Sequence, residues 1–150
     1  MANLLLHLGA NIKKPLMFSG KTPLLVAVSH GYAELTKFLV NKGAPLDDVD
    51  INGLGVMHNA VNSGSGELIR FFVGLGLDVN AKDRNGLTPL HRAVILELDE
   101  NIVNFLIESG ADPNAKDENG FDFKIHKCLN EKKVICAFPT PKFIFSQVRM

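Results

Sequence analysis

Short apolar stripes recur along the chain at helical spacing, and they come in couples. Leu24, Ala27 and Val28 are followed by Leu35, Phe38 and Leu39. Met57, Ala60 and Val61 are followed by Leu68, Phe71 and Phe72, and Leu90, Ala93 and Val94 by Ile102, Phe105 and Leu106. This spacing predicts amphipathic helices. A polar break divides each couple, at 29–31, 62–66 and 97–101, so the expected elements are short antiparallel helix pairs.

Glycine punctuates the couples with one period. Gly20, Gly53, Gly86 and Gly120 are spaced 33, 33 and 34, and Gly9, Gly43, Gly76 and Gly110 are spaced 34, 33 and 34. Two independent series sharing a period mark an internal repeat. Thr22 and Thr88 stand where a helix needs an N-cap. Pro23 and Pro89 follow at the first helical position, where a missing N–H costs nothing. The second unit has Gly55 and Val56 in those places, so its cap is expected to be poorer. Gly43, Gly76 and Gly110 are expected to close the second helices in a left-handed conformation.

These features resemble the ankyrin repeat family. The best unit, DRNGLTPLHRAVILELDENIVNFLIESGADPNA at 83–115, holds Thr-Pro-Leu-His at 88–91 and Gly-Ala-Asp-x-Asn at 110–114. The resemblance covers residues 3–138 and implies an all-α fold, a solenoid of antiparallel helix pairs joined by β-hairpin-like loops. The expected units are 1–16, 17–49, 50–82, 83–116 and 117–138, making one repeat domain over 1–138 with a non-repeat basic and apolar tail at 139–150. Residues 1–8 match only a second helix, whose leucines no earlier repeat covers. Terminal repeats need polar outer faces, so this end is either a minimal cap or the edge of a longer array. At the far end Asp122, Phe123 and Lys124 replace Thr, Pro and Leu. Residues 131–138 can form a short last helix before Pro139 and Pro141, and the tail beyond either folds back or docks elsewhere.

Charge adds an asymmetry. The 16 basic and 16 acidic side chains cancel, which gives no global reason to bind nucleic acid or an anionic membrane. Yet residues 1–123 hold 10 basic against 15 acidic side chains, a net of −5, while 124–150 hold 6 against 1, a net of +5. No run approaches the ~20 apolar residues that span a bilayer. Cys128 and Cys136, eight residues apart, form neither a disulfide framework nor a CxxC pair, and are read as reduced thiols of a cytoplasmic, or nuclear, protein.

No catalytic residue, metal ligand or cofactor site is expected. His58 and His91 share one repeat position, and the resemblance implies that such a histidine ties neighbouring hairpins and helices together. His126 and Cys128, two apart on a helix, face different ways. Lys21 and Thr22 after Gly20 suggest the end of a phosphate loop, but Pro15 stands where that loop needs glycine. Asp47, Asp48 and Asp50 lack calcium-loop spacing and are read as a solvated loop.

The resemblance implies a protein partner, bound through hairpin tips and the concave face of the first helices. Transferred residue by residue, the tips include Leu16, Phe18, Lys21, Val49, Ile51, Lys82, Arg84, Lys116 and Glu118, and the helix face Ser29, His30, Asn62, Ser63, Ile95 and Leu96. With Met17 the first two tips form an apolar patch, and an exposed apolar patch usually marks an interface. The expected groove is apolar at its N-terminal end and charged at its C-terminal end. The alternative for Leu16, Met17 and Phe18 is that they fold under the first repeat as a cap. The family also includes inhibitors of NF-kappa-B transcription factors, so an inhibitor is one expectation. An adaptor whose tail recruits other machinery, or a fragment of a larger scaffold, is another. A monomer is expected, with dimerisation through uncovered end helices as the alternative. Asn80, in Asp-Val-Asn, is a candidate for asparaginyl hydroxylation, against a bracing role in the hairpin.

Overall fold

Seven helices follow one another in a computed structural model that describes residues 14, 15 and 17–131. They are α1 (Pro23–Ser29), α2 (Ala33–Asn41), α3 (Val56–Ser63), α4 (Gly66–Gly74), α5 (Pro89–Ile95), α6 (Glu100–Glu108) and α7 (Phe123–Asn130). No strand occurs among the described residues. The expected N-terminal half-repeat, the last helix and the tail lie outside them, as does Leu16.

The helix starts follow the expected chemistry. Thr22 Oγ1 accepts the Leu25 N–H at 3.3 Å, and Thr88 Oγ1 accepts that of His91 at 3.4 Å. Asp122 Oδ1 accepts the Ile125 N–H at 3.0 Å, so the fourth unit keeps a cap without a proline. Helix α3 starts at Gly55 with no side-chain cap.

Gly43, Gly76 and Gly110 have φ of +86°, +81° and +101°, and a Cβ on any of them would meet nothing within 4 Å among the described residues. They serve backbone conformation alone. The first helices end in the same way at Gly31 and Gly64, but the third unit has Glu97 there, at φ 54°. It is the only positive-φ residue other than glycine among the described residues.

Helices α1, α3 and α5 each pack on their own second helix and on the first helix of the next unit. Ala27, Ala60 and Ala93 are buried on the first helices and let them approach closely. The second helices carry Phe38, Leu39, Phe71, Phe72, Phe105 and Leu106 and stand further apart. The stack therefore curves, with the first helices inside.

Cys128 is disulfide-bonded, which corrects the expectation of a reduced thiol. That expectation rested on compartment and spacing, and spacing along the chain does not set the distance between sulfurs in the fold. Its partner lies outside the described residues.

Candidate partner-binding surface

The hairpins are built by one aspartate each. Asp50 Oδ1 accepts the N–H groups of Asn52 and Leu54 at 2.8 and 3.0 Å. Asp83 does the same for Asn85 and Leu87, and Asp117 for Asn119 and Phe121, at the same distances. Asp50 is buried, so its reading as part of a solvated acidic loop is corrected. The repeat register with Asp83 and Asp117 was the signal for it.

Successive tips are laced to one another. Ile51 N–H donates to Ser19 O at 3.2 Å, Arg84 N–H to Asn52 O at 3.2 Å, and Glu118 N–H to Asn85 O at 3.0 Å. The glycine beside each acceptor makes this approach possible. A Cβ on Gly53 would lie 3.0 Å from Arg84 N, and one on Gly86 would lie 2.9 Å from Glu118 N. The two glycine series thus share a period for different reasons.

This lacing brings the expected apolar residues to adjacent fingers. Met17 and Phe18 are 90% and 92% exposed, and Val49 and Ile51 are 56% and 52% exposed. Lys82, Arg84, Lys116 and Glu118 are exposed on the next two fingers, and Lys82 Nζ donates to Lys116 O at 3.1 Å. Lys21 is half-buried, its N–H on Ser19 Oγ at 3.3 Å.

The helix side of the groove has the opposite polarity. Its N-terminal part carries Ser29, His30, Asn62 and Ser63, whereas Ile95, Leu96 and Leu129 are exposed at its C-terminal part. A groove charged at its C-terminal end therefore describes the tips and not the helix ends.

The histidines of the shared position are structural links. His58 Nε2–H donates to Leu87 O at 2.9 Å, and His91 Nε2–H to Phe121 O at 3.0 Å, each in the following hairpin. Burial holds both imidazoles below their ordinary pKa range. Arg92 donates to Asp83 Oδ2 from Nε at 3.1 Å and from Nη2. Burial alone would raise the Asp83 pKa, but the bonds from Arg92, Leu87 and Asn85 hold it below the ordinary carboxylate range. His126 Nε2 lies 2.9 Å from Asp117 Oδ2 at the place Arg92 takes one unit earlier. Asn80 bridges forward, its Nδ2 donating to Gly110 O at 3.0 Å and its Oδ1 accepting the Asp112 N–H at 2.7 Å. No cluster of metal-binding side chains occurs among the described residues.

A cleft of about 250 Å³ opens beside the second finger, lined by Val49, Gly55, Val56, Met57 and Leu77, with His58, Asp47 and Asp78. The poorer cap at Gly55 was legible in the sequence, but the open space was not, because it depends on the neighbouring hairpins.

A family model described as ankyrin repeats (3 copies) matches residues 1–83 and 43–117. No curated protein matches the chain.

Proposed function

The chain belongs to the ankyrin repeat family, whose members are generally protein–protein interaction modules, and from that premise we propose that it binds a partner protein and catalyses no reaction. The contact surface is the row of fingertips with the adjoining ends of the first helices. The observation that carries this is the near-complete exposure of Met17 and Phe18 beside Val49 and Ile51 on laced fingers. Large apolar side chains held out on hydrogen-bonded fingers offer contact area to a partner. Lys82, Arg84, Lys116 and Glu118 extend the surface as a charged rim.

An inhibitor that acts by occupancy, as family members that regulate NF-kappa-B do, needs nothing beyond such a surface. Asn80 remains a candidate for hydroxylation, although both ends of its side-chain amide already brace the next hairpin. The Cys128 disulfide removes the argument from free thiols for a cytoplasmic location, and ankyrin repeats specify no compartment.

The test is quantitative affinity capture from native extract with F18D/I51D against the wild type. Leu75, exposed at the end of α4 and away from the tips, supplies the control L75D. Specific partners should be lost with F18D/I51D and kept with L75D, with thermal melts unchanged. Equal capture by F18D/I51D would count against the fingertips.

A further inference from the structure

In the third unit one hydroxyl serves two groups at the start of a helix. Thr88 Oγ1 accepts the His91 N–H and also pairs with His91 Nδ1 at 2.8 Å. Thirty-three residues earlier, Gly55 stands in place of Thr88 and His58 in place of His91. His58 keeps its bond to the next hairpin, but no side chain caps α3. Its N–H and its Nδ1 thus lack the hydroxyl that their counterparts share. Because Nε2 carries the proton given to Leu87 O, Nδ1 is an acceptor. Burial, with His58 only 1% exposed, keeps the ring neutral.

The place of the missing hydroxyl opens on the cleft. A Cβ on Gly55 would meet Val49 Cγ1 at 3.7 Å and Asp48 O at 3.9 Å, both ordinary contacts. Val49, Val56, Met57 and Leu77 make the walls apolar, and the exposed Asp47 and Asp78 make the rim acidic.

We propose that this cleft binds a threonine or serine side chain, presented next to a lysine or arginine on an extended segment of the partner protein. The guest O–H donates to His58 Nδ1, and its oxygen accepts the His58 N–H. A threonine methyl packs on the apolar wall, and the adjoining cation meets the two carboxylates. Val49 belongs both to the cleft and to the fingertip patch, so the inference rests on the reading of that patch as the partner surface.

The probe is the capped dipeptide acetyl-Thr-Lys-amide, titrated into isotope-labelled protein and followed by NMR at the His58 amide and ring nitrogens. Both signals should shift saturably. The valine analogue, which loses two hydrogen bonds, should bind about tenfold or more weakly. The decisive variant is G55T. The backbone at Gly55 (φ −86°, ψ −169°) is close to that at Thr88 (φ −84°, ψ 166°), so threonine fits there. G55T should melt above the wild type and lose the response to the dipeptide. Absence of a saturable shift, leaving water as the sole occupant, overturns the proposal. An equal response from the valine analogue or from G55T does so too. F18D/I51D should leave this titration unchanged, so failure of the fingertip reading shows in partner capture and failure of the cleft shows here.

Discussion

Replacing Gly86 by alanine should cost far more than the same change at Gly76, although both glycines have nearly the same backbone conformation (φ +73° and +81°). An L-residue in the left-handed region costs about 1–2 kcal/mol. Loss of glycine's freedom in the unfolded chain returns about 0.4–1 kcal/mol of that. At Gly76 nothing lies within 4 Å of the new Cβ, so G76A should lose about 1 kcal/mol. At Gly86 the Cβ would lie 2.9 Å from Glu118 N and 3.2 Å from Asp117 C and Cα, and all three are backbone atoms. No side chain can swing aside, so the fourth finger must retreat. It then gives up the bond from Glu118 N–H to Asn85 O, worth about 1 kcal/mol, and part of the joint's packing. G86A should therefore lose about 2–4 kcal/mol. Gly120 is a control from the same series, since its φ is +78° and its Cβ would meet nothing within 4 Å among the described residues, so G120A should resemble G76A. Urea titrations followed by far-UV circular dichroism measure all three, compared where the slopes agree. Equal losses at Gly76 and Gly86 would show that φ alone explains both series and that finger approach sets no constraint.

Two further outcomes are expected. E97G removes a strained left-handed glutamate at a place where the other units use glycine, and should stabilise by about 0.5–1 kcal/mol in the same titration. His58 and His91 have folded-state pKa values below the ordinary 6.5, so the unfolded chain binds more protons as the pH falls. Their contribution is full above pH 6.5 and is lost as the pH drops through the folded values. Melting temperatures should fall between pH 7.5 and 5.5, and a flat profile would contradict the burial of the two rings.

The helix pairs were legible because the first helices of the first three units repeat Leu or Met, Ala and Val at one spacing, and because Thr22 and Thr88 cap in place. Asp50 was misread because it sits beside Asp47 and Asp48. Composition suggests a solvated cluster, whereas the repeat register aligns Asp50 with Asp83 and Asp117, both of which fold their own hairpins. The polarity of the groove was half legible. Tip residues declare their charge directly, while the exposure of Ile95, Leu96 and Leu129 depends on how far each first helix projects past its neighbour. The strain at Glu97 follows from its register, since Gly31, Gly64 and Glu97 are spaced 33 and 33 and only the last is not glycine.

The histidine links also give the array a mechanical polarity. His58 ties the second unit to the third and His91 the third to the fourth, but the first unit has Leu25 at that position. Asn80 bridges one hairpin to the next, whereas Asp47, one period earlier, has no amide hydrogen to give. Among the described residues the polar links at the first joint are the Ile51–Ser19 backbone bond and the exposed Lys37–Glu67 pair, and such surface pairs hold weakly. The α1–α3 packing that holds this joint is apolar and undirected, so it resists separation but admits a sliding that the later joints, pinned by histidine bonds, do not. A partner that grips Phe18 and Ile51 together would splint that joint, so engagement would register as a gain in stiffness at one end of the spring.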